Sequence, residues 1–148
     1  MGTLLDTTVF IEMERRLRGM ETAGAMSTVA AELGAALGAH EQVGMAAITA
    51  SELLHGVHRA TVEHRSRREA FVEAVLDAFP PLSFDLLCAR AHARLWATLA
   101  ASGADIGPHD RLVAATAIAH GWRVATANVR HFDRVPGLGL VELKLGTA

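Results

Sequence analysis

Apolar residues along this chain fall into two kinds of stretch. Short apolar runs alternate with longer segments in which apolar side chains recur every third or fourth position. The runs read as buried strands and the longer segments as amphipathic helices. Thr3–Leu5 is a first strand, ending at Asp6. From Thr7 the pattern turns helical, with Phe10, Met13, Leu17 and Met20 on one side and Glu14, Arg15 and Arg18 on the other. Glu21–His40 is rich in alanine and glycine, and its stripe of Val29, Leu33 and Leu37 predicts a helix. Val43–Ile48 reads as a second strand and Thr49–Ala60 as a helix. Glu63–Phe79 is another helix, with Phe71, Val75 and Phe79 inward, stopped by Pro80-Pro81. Leu82–Phe84 is a short extended segment. Asp85–Ser102 is a long helix carrying Leu95, Trp96 and Leu99 and closed by Gly103. Gly139–Leu143 is a last strand.

The stretch Ile106–Asn128 carries the clearest punctuation. Gly107 and Pro108 open a helix, since proline suits the first helical position. Gly121 closes it, and Trp122–Thr126 follows as a short buried strand. Asp110 therefore sits in the first turn of a helix, beside Arg111, in a segment otherwise small and aliphatic. Strands alternating with helices predict an α/β fold, a parallel sheet with helices on both faces. No repeat or long linker divides the chain, so residues 1–148 read as one domain.

Composition removes several function classes. The formal net charge of -2 counts against coating nucleic acid through bulk positive charge. It leaves room for an enzyme that touches a few phosphates locally. Cys88 is the only cysteine, which excludes an internal disulfide and a cysteine-based zinc cluster; within Leu86–Ala93 it reads as inert core. No apolar run is long enough to cross a bilayer, and Met1–Ile11 lacks a basic start and a long apolar stretch. The expectation is a cytoplasmic protein without a signal peptide.

Three acids stand out, and each has a plain structural explanation. Asp6, between a strand and a helix, suits an N-cap. Thr49-Ala50-Ser51-Glu52 fits a capping box, with Thr49 as cap and Glu52 reaching back. Asp110 in a first turn is favoured by the helix dipole. Taken jointly they suggest more. A parallel sheet brings its strand-to-helix junctions to one edge, where ligands bind at the switch point in strand order. Asp6 and Glu52 follow the first two strands, and the loop Gly103–His109 must bring Asp110 across. Close carboxylates repel one another, so such a cluster persists most easily around a cation. Oxygen ligands suit Mg²⁺ or Mn²⁺, and such a site can support attack of water on a phosphodiester.

Five blocks then occur in order: Leu4-Leu5-Asp6-Thr7-Thr8-Val9, Thr49-Ala50-Ser51-Glu52-Leu53-Leu54-His55-Gly56-Val57, Gly107-Pro108-His109-Asp110-Arg111-Leu112-Val113-Ala114-Ala115-Thr116-Ala117, Ala125-Thr126-Ala127-Asn128-Val129-Arg130-His131-Phe132 and Val135-Pro136-Gly137-Leu138. The ordered set resembles the PIN-domain ribonucleases, and specifically the VapC toxins of bacterial toxin–antitoxin pairs. The resemblance implies a three-layer α/β/α sandwich with a five-stranded parallel sheet. It implies a Mg²⁺-dependent RNA cut, with transfer or ribosomal RNA as the usual substrate class. A water attacking phosphorus in line would leave a 5′-phosphate and a 3′-hydroxyl, and the substrate reads as single-stranded or looped RNA, since an A-form duplex hides its bases. The resemblance also implies inhibition by a VapB-type antitoxin. By position, Asp6, Glu52 and Asp110 match the family's acidic metal-binding residues. The family often has a further acid near Asn128; here an amide offers a weak or water-mediated ligand, and Asp133 falls outside the matching position.

Other residues keep two readings. Thr7 and Thr126 can orient metal-bound water, or cap a helix and end a strand. His55, His58 and His64 read as surface or groove residues rather than a transition-metal site. His109 can contact phosphate or simply stand exposed. His64-Arg65-Ser66-Arg67-Arg68 is a solvated face or a track for an RNA backbone. Trp96 and Trp122 read as core. Apolar surface on the helices Phe10–Met20 and Thr49–Phe79 suggests a homodimer. The rival readings are a PIN-fold binding module that has lost activity, with Asn128 as the hint, and a haloacid-dehalogenase-like phosphotransferase. The second is suggested by Leu4-Leu5-Asp6 but lacks the aspartate that its motif needs where Thr8 stands.

Overall fold

A computed structural model of the chain describes residues 1–20 and 22–145. The first half runs β1 (Gly2–Leu5), α1 (Thr7–Leu17), α2 (Thr22–Leu37), β2 (Gln42–Ala46), α3 (Ala47–Arg59) and α4 (Val62–Ala78). The second half runs β3 (Pro81–Leu82), α5 (Leu86–Ser102), α6 (Pro108–His120), β4 (Arg123–Thr126), a short 3-10 turn (Val129–His131) and β5 (Leu140–Glu142). The strands form one five-stranded sheet in the order β3-β2-β1-β4-β5. Every pairing is parallel.

Side chains alternate across the pleat, as period-two geometry requires, and this divides the core. Leu5, Met45 and Ala125 face one cluster with Phe10 and Met13 of α1, Leu33 of α2 and Val75 of α4. Leu4, Ala46 and Val124 face a second cluster with Leu99 of α5 and Val113 and Ala117 of α6. The molecule is therefore a three-layer α/β/α sandwich, as expected. β1 sits at the centre with both edges paired and helices over both faces, and its four residues are all buried.

Several elements differ from the sequence reading. Met20 lies beyond the end of α1 and is exposed, although Phe10, Met13 and Leu17 are buried as the spacing implied. The second strand stops at Ala46, not Ile48. Its partner β3 has only two residues, paired Met45↔Pro81 and Ala46↔Leu82, so the ladder ends there. Ile48 instead packs from the first turn of α3 against the second core cluster. Apolar character alone does not separate the end of a strand from the start of a buried helix. In consequence Thr49 is not the N-cap of α3: that position is Ala46, without a side-chain cap, and no capping box forms. Trp96 is half exposed at 50%, with the Arg111 guanidinium 5.0 Å from its ring centroid. Trp122 is only partly buried, packed against the second cluster. Glu21, where a helix was expected to begin, lies outside the described residues; α2 buries Val29, Leu33 and Leu37 as foreseen. No described helix is long and apolar enough to cross a membrane.

Two glycines make opposite demands. A Cβ at Gly44 in β2 would stand 2.8 Å from the Pro80 carbonyl oxygen, so the approach of the β3 backbone needs glycine there. A Cβ at Gly34 in α2 would meet nothing within 4 Å. Gly44→Ala should therefore lower stability by about 1–3 kcal/mol, the usual cost of overpacking. Gly34→Ala should raise it by about 1 kcal/mol through helix propensity. Urea denaturation of the two variants beside the parent checks both signs.

Candidate active site

The sheet order places β1 at the switch point: the chain moves from β1 to β2 and β3 on one side, then returns to β4 and β5 on the other. The carboxyl ends of β1 and β4 lie side by side there, with Leu5 opposite Ala125. The Asp6 N–H continues the pairing by donating to the Ala125 carbonyl at 3.1 Å. Asp6 thus leaves β1 beside the end of β4 and caps α1, accepting from the Val9 N–H at 3.3 Å.

Both Asp6 carboxylate oxygens are held. The Thr8 hydroxyl donates to Oδ1 at 2.5 Å, and the Thr126 hydroxyl donates to Oδ2 at 2.6 Å. Those hydroxyls in turn accept from the chain that leaves β4: Ala127 N–H donates to Thr8 at 3.0 Å, and Asn128 N–H to Thr126 at 3.0 Å. The two threonines therefore clasp Asp6 to the loop after β4. Asp6 is 3% exposed. Burial pushes its carboxyl above the ordinary value, against the opposing hydrogen bonds of Thr126, Thr8 and Val9 and the nearby His131 imidazole.

Glu52 reaches the site from inside α3, not from its first turn. The Thr7 hydroxyl donates to its Oε1 at 3.0 Å, and His109 Nδ1 stands 3.5 Å from its Oε2. Asp110 enters from the first turn of α6, with Pro108 as the first helical residue and Gly107 as cap. The loop that carries it across is fastened from behind. Buried Arg111 donates to both Asp105 oxygens at 2.9 Å and to the Ile106 carbonyl at 3.0 Å. Burial is the largest cause raising the Asp110 carboxyl above its ordinary value, and the charges of Asp6 and Glu52 add to it; His131 and His109 oppose. Asp110 thus feels the charges of the other two acids, although the three come from separate segments.

They do not close into a tight cage: among the described residues no three Asp, Glu, His or Cys side chains form a ready metal cluster. The donor set is nevertheless all oxygen, with three carboxylates and the hydroxyls of Thr7, Thr8 and Thr126 around them, which fits a hard divalent cation rather than zinc or copper. Asn128 is turned to another task. Its side-chain oxygen accepts from the Arg130 N–H at 3.2 Å, and its amide nitrogen lies 3.0 Å from His131 Nε2. His131 Nδ1 lies 3.9 Å from Asp110 Oδ2, so Asn128 adjoins the site through His131.

Thr8 and His131 were not singled out from the sequence. Thr8 had a readable signal, since a hydroxyl two residues beyond an N-cap aspartate can reach back to it. His131 had none: it comes to Asp110 only through the turn after β4. Thr49 is fully buried, and its hydroxyl has no partner among the described residues. Cys88 is buried, and burial raises its thiol above the ordinary value, as an inert core cysteine would show.

Residues 3–138 match the PIN domain family. The chain is similar to a protein named Ribonuclease VapC1 from Rickettsia felis, with 35% identity over 139 residues, 93% of each chain. It is also similar to a tRNA(fMet)-specific endonuclease VapC from Salmonella typhimurium, with 32% identity over 94 residues, covering 64% of this chain and 70% of that one. Among solved structures, VapBC-5 from Mycobacterium tuberculosis, described as a member of the VapBC family of toxin-antitoxin systems, superimposes with a TM-score of 0.70. The identity there is 27%, over 96% of this chain and 98% of that one.

The raised Asp6 carboxyl has a sign that can be tested on the metal-free protein. A carboxyl whose folded pKa lies above its unfolded value favours folding at low pH, and that contribution is lost as pH rises through the folded pKa. Asp6→Asn keeps a capping oxygen and removes the buried charge. In metal-free buffer it should melt above the parent at pH 8, and the gap should close as pH falls toward the ordinary carboxylate value of 3.8. Melting curves across that range decide it; a variant less stable than the parent at pH 8 contradicts the burial argument.

Proposed function

This chain belongs to the PIN-domain family, among the VapC ribonucleases, and we propose that it is a divalent-metal-dependent endoribonuclease toxin whose activity resides in Asp6, Glu52 and Asp110. The observation that carries this reading is the gathering of three carboxylates at the switch point of a parallel sheet: Asp6 leaves β1 beside the end of β4, its neighbour Thr7 donates to Glu52, and His109, next to Asp110, lies 3.5 Å from the same Glu52. Three acids brought together at a cost in repulsion need a positive charge to offset it. Asp6, Glu52 and Asp110 would hold Mg²⁺ or Mn²⁺; Asn128, whose side-chain oxygen already accepts from the Arg130 N–H, would contribute only through water. When bound, the cation supplies Lewis-acid polarisation of the phosphate and a more acidic water.

The chain's own residues prepare that chemistry. Thr8 and Thr126 fix both Asp6 oxygens, and Thr7 fixes one Glu52 oxygen, so the donors are oriented before substrate arrives. His109 and His131 flank the acids with exposed rings and can donate hydrogen bonds to phosphate oxygens. Hydrolysis adds water to phosphorus and releases the 3′-oxygen with a proton, which gives a 5′-phosphate and a 3′-hydroxyl. The substrate is single-stranded or looped RNA, because an A-form duplex hides its base edges. The name of the Salmonella relative supports transfer RNA as the class. Both Asp6 oxygens already have donors, and Thr8 stands where a haloacid-dehalogenase aspartate would be; with the family known, the phosphotransferase reading falls away.

The partner is a VapB-type antitoxin, supported by the VapBC assembly among the similar structures. A cationic side chain of that partner at the acidic edge would offset the same carboxylates. A homodimer is supported by exposed apolar side chains on α5, Leu86, Leu87 and Trp96, apart from the α1, α3 and α4 helices on which it was expected.

Asp110→Asn tests the assignment. It should reduce RNA cleavage by at least about a hundredfold, the scale of losing a key electrostatic group, and abolish growth arrest. The metal-free fold should persist, because the change relieves repulsion. Cleavage assays beside circular dichroism check this; a folded Asp110→Asn protein that cleaves like the parent removes Asp110 from the site.

A further inference from the structure

A second, larger groove lies on the face formed by α1, α3 and α4. It has a volume of about 740 Å³ and is lined by Arg18, Arg59, His64, Arg67, Arg68 and Phe71, among others. Four arginines gather there on a chain whose formal net charge is -2. One acid of the lining, Glu14, is already used: Arg68 donates to its two oxygens at 3.2 and 3.1 Å. Among the described residues no hydrogen bond or ion pair neutralises Arg18, Arg59 or Arg67, and all three are exposed. Part of the basic run His64–Arg68 thus joins two arginines distant in sequence, at the end of α1 and the end of α3.

The groove is not isolated. A smaller depression of about 160 Å³ shares Glu14, Arg68 and Phe71 with it and reaches Thr7 and Glu52 of the acidic site. The Arg68–Glu14 pair stands where the two meet. Along α1 the offset from Thr7 to Arg18 is eleven residues, about 16 Å at helical rise. A polyanion engaged at the carboxylates would meet repulsion from further acids, but here it meets free guanidinium groups a few nucleotides away. Arginine suits this role, since its planar fork pairs with phosphate oxygens two at a time.

We propose that the groove lined by Arg18, Arg59 and Arg67 is a phosphate-binding exosite that holds the single strand of RNA leading away from the acidic edge. The proposal rests on the nuclease reading and names where substrate affinity comes from. The acids that make the chemistry repel the RNA backbone, so binding strength must be supplied elsewhere, and this groove supplies it. The continuity with Glu52 favours RNA over an acidic protein segment as the occupant.

The test compares the triple variant Arg18→Gln/Arg59→Gln/Arg67→Gln with a control triple, Arg90→Gln/Arg94→Gln/Arg134→Gln, that removes the same charge from exposed positions elsewhere. Binding of a fluorescently labelled oligouridylate is measured by anisotropy in EDTA across a salt series, with circular dichroism to establish the fold. The groove triple should weaken binding by about tenfold or more. It should also reduce the slope of log affinity against log salt by about 2, since each contact to a single-stranded phosphate contributes about 0.7. The control triple should keep the parent's slope. Equal behaviour of the two triples overturns the exosite, because bulk charge then explains the loss. Retained RNA binding with lost binding of a polyglutamate peptide also overturns it and makes the groove a protein-docking surface. An unchanged groove triple beside an inactive Asp110→Asn defeats this proposal alone; a cleaving Asp110→Asn defeats the nuclease site alone.

Discussion

β1 pairs on both sides, with β2 and with β4, and that double pairing decides where everything else can meet. Parallel strands deliver their carboxyl ends to one edge, and the change of direction in strand order opens the crevice beside β1. Asp6 leaves the central strand at that point, while Thr126 ends the neighbouring strand next to it. The acid and its clasp are thus consequences of register. A one-residue slip of β4 against β1 would turn Thr126 to the opposite face and leave Asp6 buried with a hydroxyl missing.

The site carries an internal conflict that the fold holds in place. Burial raises the Asp6 and Asp110 carboxyls, and the charges of Asp6 and Glu52 raise Asp110 further. Hydrogen bonds from Thr8 and Thr126 offset part of that cost at Asp6. On the other side, Arg111 holds Asp105 and the Ile106 carbonyl, so the loop cannot relax and withdraw Asp110. Arg111 is itself buried, and its Nε has no partner among the described residues. The chain therefore accepts an imperfectly satisfied cation to keep an acid in position. Such local cost is typical of functional sites. In the proposed reading the cationic groove beyond Arg68 complements it: one end of the face would repel phosphate without a bound cation, and the other end would attract it.

Much of this was legible from the residues. The strand–helix alternation gave the layers, because short apolar runs and three-to-four spacing answer to different geometries. Gly121 and Gly103 close their helices in left-handed conformations as their positions implied. The order of Asp6, Glu52 and Asp110 along the chain anticipated one edge. What failed was local. Ile48 looked like strand but packs as helix, and with it the capping role of Thr49 disappeared. Trp96 looked like core but lies half exposed beside Arg111. His131 and the shared lining of the two grooves arise from tertiary proximity, which no spacing along the chain encodes.

The central claim is that the three acids jointly hold one divalent cation. Anomalous diffraction from a crystal of the protein soaked in Mn²⁺ tests it most directly. The account predicts a single strong peak bounded by Asp6, Glu52 and Asp110, with the Thr8 and Thr126 hydroxyls still on Asp6. A peak held by other residues, or none at this edge at saturating Mn²⁺, would contradict it.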